Sequence, residues 1–459
     1  MEYELNDNTP CGIEDLSERQ GRFKNNYFDG LPVEGVHKLL FFIIMAAYFF
    51  EQFDNWNFGF VAPRLMEVWG LKPTEIGTIL FWYFIGMTSG GFLGGVISDF
   101  IGRRKTFLIS ILIFSLSSII TGYTDSFVVF TIFRALTGFG VFCMMVTSQA
   151  YIAEMAPCQT RGMWQGRVAA IGFCAVPFVA LICRTVIPMA EDAWRWIFYA
   201  GGLGLVAFFL GLKYLRESPR WLVTRGRIEE AEEVVRFLTH KDIDLSEAAA
   251  KVEPRASVGE VIYGMFTRRY IGRTLLLMLL FVCITPAGFL LTTWTTTLLK
   301  MLGFSVQQSL TAMTIISIGV PAGCFLSSLV SDKGGRKIPI AILASSAAVL
   351  AVIFGLMKSL VLLTLFGFLV TAVNMAVNFT LFSYTAESYP TRMRNTATGF
   401  HNGLARLSVS FSQPFIPMIH QAYGFMGVFS TVGLCFFIPV IPLLIWGMRT
   451  GGKSLEEIE

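Results

Sequence analysis

The sequence predicts an all-α membrane protein with twelve transmembrane helices in two six-helix, pseudo-symmetric halves. Three observations predict this fold class: an apolar composition, a series of membrane-length apolar runs, and charged motifs that recur at a fixed spacing. Of the 459 residues, 54% are hydrophobic and only 15% are charged, whereas soluble domains carry about 25% charged residues. Such a chain has too few charged side chains to cover a water-facing surface.

A bilayer-spanning helix needs about 20 mostly apolar residues, and six runs of this kind lie on either side of a polar stretch. The first six lie near 38–62, 76–98, 106–124, 128–153, 163–188 and 194–215. The second six lie near 272–299, 308–330, 338–357, 360–384, 395–421 and 425–448. The chain therefore divides into an N-terminal tail (1–37), an N-terminal half (38–215), a linker (216–271), a C-terminal half (272–448) and a C-terminal tail (449–459).

Lysine and arginine in the short loops are concentrated on one side of the predicted membrane, which we call the basic side. The positive-inside rule assigns this side to the cytoplasm. We therefore expect a multi-pass protein of the cytoplasmic (inner) membrane with both termini in the cytoplasm. In the linker, "RIEEAEEVVRFL" (227–238) alternates charged and apolar residues at helical spacing. This pattern predicts either an amphipathic helix or a plain solvated linker helix.

Two charged motifs on the basic side occur twice, and both copies are displaced by the same distance. Asp99 precedes Asp332 by 233 positions, and Glu154 precedes Glu387 by the same number. Chance rarely places two separate motifs at one shift. Parallel repeats of six helices are a known build among secondary transporters, with a substrate site near the midplane between the halves.

The motifs themselves resemble those of the major facilitator superfamily over almost the whole chain. They are "GGVISDFIGRRK" (94–105), "SSLVSDKGGRK" (327–337), "FRALTGFG" (133–140), "AEMAPCQTRG" (153–162) and "AESYPTRMRN" (386–395). The resemblance implies the major facilitator fold and a cytoplasmic gate of charged residues that does not touch substrate. The gate residues are Asp99, Arg103, Glu154 and Arg161 in the first half, and Asp332, Arg336, Glu387 and Arg394 in the second.

Within that superfamily, "AWRW" (193–196), "RESPRWL" (216–222) and "GKSLEEIE" (452–459) resemble the sugar-porter branch and its relatives. The seventh span (282–303) lacks the glutamine pair and the paired tyrosines of sugar porters. The first span, "EQFDNWNFGFVAP" (51–63), instead resembles the Asp-x-x-Asp pattern of aromatic-acid:proton symporters and bacterial nicotinate transporters, with Glu51 in place of the first Asp.

Ionisable residues inside the predicted spans are costly to insert and are therefore candidates for function. Glu51 and Asp54 are three residues apart and share one face of the first helix. Two neighbouring buried carboxylates are suited to binding and releasing a proton. Arg134 in the fourth span is their natural counter-ion, and the resemblance implies that Asp54 and Arg134 are the coupling pair. The alternative is a permanent structural salt bridge.

Arg406 lies in the middle of the eleventh span, where its planar guanidinium is suited to bidentate binding of a carboxylate. The alternative is that Arg406 caps a backbone break or reaches a loop acid. Aromatic and amide side chains, which can stack on a planar ring or bond to its polar groups, complete the expected substrate pocket. They are Trp56, Asn57, Trp82, Tyr83, Trp294, Asn374, Asn378 and Gln413.

The sequence thus predicts a proton-coupled secondary transporter that imports a small organic monocarboxylate by alternating access, with an aromatic acid such as nicotinate or a benzoate as the leading substrate. A phosphate-binding "GxxxxGK[ST]" loop is missing, so ATP is not the expected energy source. We expect no enzymatic activity, cofactor, metal or nucleic-acid partner, and a functional monomer in the lipid bilayer. The alternatives are a sugar or polyol porter, an organic-cation carrier or drug exporter, and a non-transporting receptor on the same scaffold.

Overall fold

The structure is a computed structural model of the chain and describes residues 27–28, 33, 35–241, 244–245, 258–330 and 335–448. These residues form helices and connecting turns, with no β-strand among them. Most of the predicted N-terminal tail, the predicted C-terminal tail, parts of the linker and Asp332 lie outside the described residues.

The N-terminal half contains six spans that match the six apolar runs. They are α1 (Gly35–Val68), α2 (Pro73–Ile101), α3 (Arg103–Tyr123), α4 (Phe127–Met155), α5 (Cys158–Val186) and a sixth span divided into α6 (Trp194–Gly201) and α7 (Gly204–Tyr214). The linker follows as α8 (Pro219–Thr224), α9 (Ile228–Thr239) and α10 (Val258–Met265). Helix α9 coincides with the charged segment 227–238 and buries Ala231, Val235 and Leu238 at helical spacing. It is therefore an amphipathic helix docked on the protein.

The C-terminal half continues with α11 (Ile271–Thr293), α12 (Thr295–Met301), α13 (Val306–Ser317), α14 (Gly319–Val330), α15 (Lys337–Leu356), α16 (Leu360–Glu387), α17 (Thr391–Ser412), α18 (Phe415–Phe437) and α19 (Val440–Trp446). Among the described residues, eleven helical segments are long and apolar enough to cross a membrane. Helix α17 is the span outside that set, because Arg394, His401, Asn402 and Arg406 lower its hydropathy.

Helix α18 contains a turn at Gly424, whose φ of 65° lies in the left-handed region that favours glycine. Gln413 and Pro414, which connect α17 to α18, both have right-handed helical backbone angles, and the helical turns after Gly424 begin the last span. The predicted division between the eleventh and twelfth apolar runs, 395–421 and 425–448, falls at this glycine.

The internal repeat is also visible in helix packing. A Cβ atom on Gly90 of α2 would lie 2.2 Å from the backbone oxygen of Phe139 in α4. A Cβ atom on Gly323 of α14 would lie 2.1 Å from the backbone oxygen of Ala372 in α16. Both members of the second pair follow the first by 233 positions. The same close, small-residue approach of two helices therefore occurs in each half, as expected where apolar lipid gives helices no reason to associate by hydrophobicity alone.

The two halves are joined by polar contacts on the side opposite the basic loops. Lys300 at the end of α12 lies 2.6 Å from Glu67 at the end of α1, and its Nζ also donates to the backbone oxygen of Pro63 at 3.2 Å. Ser410 of α17 donates to the backbone oxygen of Phe81 in α2 at 2.8 Å. The structure is therefore closed between the halves on this side.

Candidate functional site

Asp54 lies at the centre of a fully buried polar cluster in the N-terminal half. One carboxylate oxygen accepts hydrogen bonds from Ser118 Oγ at 2.6 Å and Asn57 Nδ2 at 2.7 Å. The other lies 3.3 Å from Nη1 of Arg134. Helices α1, α3 and α4 each supply one or more members of this cluster. The structure thus brings Asp54, Asn57 and Arg134 together. Asn57, which was expected in the substrate pocket, here donates its hydrogen bond to Asp54.

Arg134 is enclosed by aromatic rings as well as by the carboxylate. Its guanidinium carbon lies 4.6 Å from the ring centroid of Tyr83, 5.6 Å from that of Phe198 and 5.7 Å from that of Phe58. Aromatic faces attract a desolvated cation. These rings and the carboxylate together compensate a positive charge that is 0% exposed.

Glu51 occupies a different environment, although it lies only one helical turn before Asp54. Its side chain is 1% exposed, and neither carboxylate oxygen has a hydrogen-bond partner among the described residues. Asp54 and Arg406 are close enough to act on it electrostatically. Burying an ionised carboxylate without donors is costly, so this position favours a group that can be neutral.

Arg406 of α17 extends its guanidinium to the interface between the halves. The guanidinium carbon lies 4.8 Å from the ring centroid of Phe142 in α4 and 4.5 Å from that of Phe289 in α11. Its Nη1 atom is buried without a hydrogen-bond partner, and the described residues provide no ion pair for it. Arg406 is therefore a cation held between two aromatic rings with unused hydrogen-bond donors.

Trp56 extends the aromatic surface beside Arg406. Its indole stacks on Phe289, with ring centroids 5.2 Å apart and an interplanar angle of 11°. The indole nitrogen donates to Gln52 at 3.0 Å, and Asn55 donates to the same Gln52 oxygen at 3.3 Å. Asn55 in turn accepts from the hydroxyl of Tyr83 at 2.8 Å. A chain of polar side chains thus fixes the tryptophan in place.

Two asparagines of α16 lie on the C-terminal side of the interface. Asn378 donates to the side-chain oxygen of Asn374 at 3.0 Å and to its backbone oxygen at 2.8 Å. Asn374 packs against Gly288 of α11, and its Nδ2 is buried without a partner. An amide donor that is buried and unused is available for a polar ligand.

Three expected pocket residues are not brought into this cluster. Trp294 and Gln413 are 0% exposed and bond to each other, Nε1 to Oε1 at 2.8 Å, so they fasten α11 to the end of α17. Trp82 is 48% exposed and shares one face of α2 with exposed Leu93 and Phe100. Its indole belongs to the outer surface of the bundle. We do not retain these residues as substrate ligands.

Three of the four gate residues expected in the first half, Asp99, Arg103 and Glu154, contact one another. Arg103 forms two hydrogen bonds with Glu154, both 3.1 Å long, and lies 2.6 Å from Asp99 one turn earlier. Gly102, which separates α2 from α3, has a φ of 104°, a value that permits the tight turn only without a side chain.

The second half repeats part of this arrangement. Arg336 lies 2.9 Å from Glu387, and the preceding Gly335 also has a positive φ, 78°. Arg394 lies in the first turn of α17. Asp332 lies outside the described residues. The remaining gate residue of the first half, Arg161, lies in α5 and makes no hydrogen bond or ion pair among the described residues.

Several residues of the cluster were not predicted. Gln52 and Asn55 belong to the same polar run as Glu51 and Asp54, and this polarity within an apolar span was a usable signal. Phe142 and Phe289 carry no such signal, because the chain has 43 phenylalanines. Among the described residues, no group of three His, Cys, Asp or Glu side chains is placed to hold a metal ion.

A helical bundle of two repeated halves with charged side chains near the interface between them is an architecture typical of membrane transporters. The model of the Major Facilitator Superfamily matches residues 44–414, and the chain belongs to that family. It is therefore a transporter and not an enzyme, and it is a multi-pass membrane protein.

Individual relatives narrow this class only in part. The chain is 30% identical over 436 residues to a putative metabolite transport protein, YyaJ, of Bacillus subtilis (strain 168), covering 94% of this chain and 96% of the relative. It is 26% identical to the niacin transporter NiaP of Acinetobacter baylyi, and the match covers 94% of this chain and 98% of the relative. The inward-open xylose transporter XylE of E. coli shares the fold, with a TM-score of 0.74 and 20% identity. The match covers 92% of this chain and 99% of XylE.

Proposed function

We propose that this transporter is a proton symporter that imports a small organic monocarboxylate, with a ring acid such as nicotinate or a benzoate as substrate. The observation that carries the proposal is Arg406, whose guanidinium lies between two aromatic rings at the half interface with an unused donor. A partly buried cation without an ion-pair partner is costly unless an anion accompanies it. A substrate carboxylate supplies that anion.

The surroundings of Arg406 favour an aromatic acid over an aliphatic one. Trp56 and Phe289 are stacked and present flat apolar faces beside the guanidinium. A planar ring gains from stacking on such faces, while its carboxylate accepts from the fork of the arginine. The unused amide of Asn374 can donate to a ring nitrogen or to a second carboxylate oxygen. Similarity to a niacin transporter supports the same class of substrate.

Glu51, Asp54 and Arg134 form the proposed coupling centre. Asp54 is held by three donors, whereas Glu51 has none among the described residues, so we assign the transported proton to Glu51 in this conformation. A substrate carboxylate at Arg406 brings a second negative charge near Glu51. Like charges disfavour joint ionisation, so acid binding and protonation of Glu51 support each other.

The charged residues of the basic side form the proposed gate. Asp99, Arg103 and Glu154 stabilise one arrangement of the loops in the first half, and Arg336 and Glu387 do so in the second. The basic side is the cytoplasmic side in this proposal, with both termini there. Rocking of the halves, 38–215 and 272–448, then exposes the site alternately.

The experiment that tests the proposal is a competition screen in proteoliposomes. Ring acids, their amides, sugars and organic amines compete against uptake of labelled nicotinate or benzoate. Competition by ring acids alone supports the proposal, provided that uptake rises with an inward proton gradient. Competition by neutral sugars with equal strength overturns the substrate class.

An organic-cation carrier is a second candidate, and the observation that favours it is the bare carboxylate of Glu51. In that case the cation pairs with Glu51 and is repelled by Arg406. The same screen decides between them, because competition by amines and not by acids assigns the transporter to cations.

A further inference from the structure

A cavity lies on the basic side of the N-terminal half, outside the transport site. It is a partly open cavity with a volume of about 240 Å³, lined by the start of α3, the segment that follows α7, and the linker helices α8 and α9. Water occupies about 30 Å³ in the liquid, so the cavity has room for a ligand much larger than water. Its lining includes Arg104, Lys105, Arg216, Val234 and Phe237.

Two arginines of this cavity have unused hydrogen-bond donors. The guanidinium carbon of Arg216 lies 4.1 Å from the ring centroid of Phe237; its Nε is buried without a partner, and the side chain makes no hydrogen bond or ion pair in the described part of the chain. Arg104 donates one Nη to the backbone oxygen of Leu212 at 2.7 Å, while its Nε is also buried without a partner.

The acids that line the cavity do not neutralise these arginines. Glu217 accepts from the backbone nitrogens of Arg103 and Arg104 at 2.7 and 3.0 Å. Glu230 is held by Arg227 through two hydrogen bonds. The remaining lining acid is Glu233, so the four lining cations, Arg104, Lys105, Arg216 and Arg227, outnumber the three lining acids. The cavity lining therefore carries an excess of positive charge, and its unpaired arginine side chains are available to bind an anion.

We infer that this cavity binds a phosphate group. Arginine guanidinium groups match phosphate oxygens with paired donors, and Arg104 and Arg216 both line this cavity. On α7, shortly before the cavity residues Arg216 and Glu217 in the chain, Phe209 and Leu212 are exposed apolar side chains, which suits the acyl chains of an anionic phospholipid. A soluble phosphate-bearing molecule has the same headgroup chemistry. Either ligand ties the linker helix α9 to the N-terminal half and stabilises the arrangement seen here.

The test uses the full chain and two probes. Inorganic phosphate is titrated against the protein in detergent at constant ionic strength. In parallel, the protein is placed in phosphatidylcholine vesicles with or without phosphatidylglycerol. A ligand that binds only the folded state raises the melting temperature with concentration. Arg104→Gln/Arg216→Gln should weaken the apparent affinity by about tenfold or more, because charged hydrogen bonds are lost.

Two further variants keep the test decisive. Val234→Trp fills the cavity without removing a charge and should also abolish the response. Arg268→Gln removes an exposed linker arginine outside the cavity and should respond as wild type does. A response to phosphate supports a soluble ligand, and a response only to phosphatidylglycerol supports a lipid headgroup. The inference is overturned if wild type responds to neither probe, or if the double variant and Val234→Trp respond as wild type does.

Discussion

Asp54 and Arg134 form an ion pair of 3.3 Å, and the two side chains are 0% and 1% exposed. Ser118 and Asn57 complete the hydrogen bonding of the carboxylate. One turn earlier on the same helix, Glu51 has no hydrogen-bond donor in the part of the chain that the structure describes. Two carboxylates that look equivalent in the sequence are therefore distinct in the structure, and this difference can be measured.

Asp54→Asn should abolish uphill, proton-driven uptake and lower the melting temperature. The substitution leaves Arg134 buried without its counter-ion, and breaking a buried pair costs about 3–5 kcal/mol. Uptake of nicotinate or benzoate into proteoliposomes on an imposed pH gradient measures coupling, and a thermal melt measures stability. A mutant that still concentrates substrate shows that Asp54 has no part in coupling.

The double variant Asp54→Asn/Arg134→Gln separates the structural effect from the coupling effect. It removes both charges, so it should recover much of the stability that Asp54→Asn loses. Uphill uptake should remain absent. If uptake recovers together with stability, the pair is only a structural salt bridge.

Glu51→Gln should retain substrate binding and exchange while losing accumulation against a gradient. Glutamine copies the shape of a protonated carboxyl group but cannot release a proton. In wild type, acid binding should weaken as the pH rises, since ionised Glu51 repels a carboxylate at Arg406. In Glu51→Gln, acid binding should lose this component of its pH dependence. An unchanged pH profile in the variant assigns the proton to another group.

Arg103→Ala should slow transport and change substrate affinity by less than about twofold, because residues that bias a conformational equilibrium need not contact ligand. Arg336→Ala is the matched variant at the repeated position, since its pairing with Glu387 parallels that of Arg103 with Glu154. Exchange rates and equilibrium binding are measured on both. A large loss of affinity at normal exchange rates contradicts the gate role.

Much of the fold could be predicted because the patterns that specify it are local. Membrane-length apolar runs and a charged motif repeated after 233 positions gave the spans and their symmetry. The repeat extends to packing that no motif marked, as the glycine contacts of Gly90 and Gly323 show. Helix α17 was also identified as a span, since 395–421 was read as one of the membrane-length apolar runs despite its polar residues.

The side-chain environment of the site was less predictable. In a membrane protein both the lipid-facing and the buried faces of a helix are apolar, so periodicity did not reveal that Trp82 faces outward. Trp294 and Gln413 satisfy each other, and no local pattern reports a partner 119 positions away. The rings that flank Arg406 come from α4 and α11, so only the assembled halves bring them together.

Lys300→Ala should open the side of the protein opposite the basic loops. Lys300 bonds to Glu67 and to the backbone of Pro63 across the half interface. The eight native cysteines are first replaced, and a single reporter cysteine is introduced by Thr293→Cys. The rate at which a membrane-impermeant maleimide modifies this cysteine measures the accessibility of the opened side. Arg64→Ala is the control, because Arg64 pairs with Glu67 within α1 and joins no halves. Equal labelling of both variants and the parent argues against a closing role.

Arg406→Ala should weaken binding of the acid substrate by about 10- to 150-fold, since a hydrogen bond to a charged group contributes about 1.5–3 kcal/mol. Arg406→Lys should recover only part of the affinity, because an ammonium group cannot replace the planar fork between Phe142 and Phe289. The amide analogue of the acid should bind wild type with low affinity, and its affinity should fall little further in Arg406→Ala. Calorimetric titration of acid and amide against both proteins completes a thermodynamic cycle. A loss of affinity for the acid alone shows that Arg406 binds the carboxylate. Equal losses for the two ligands show that Arg406 is structural, and the organic-acid assignment then loses the observation on which it depends.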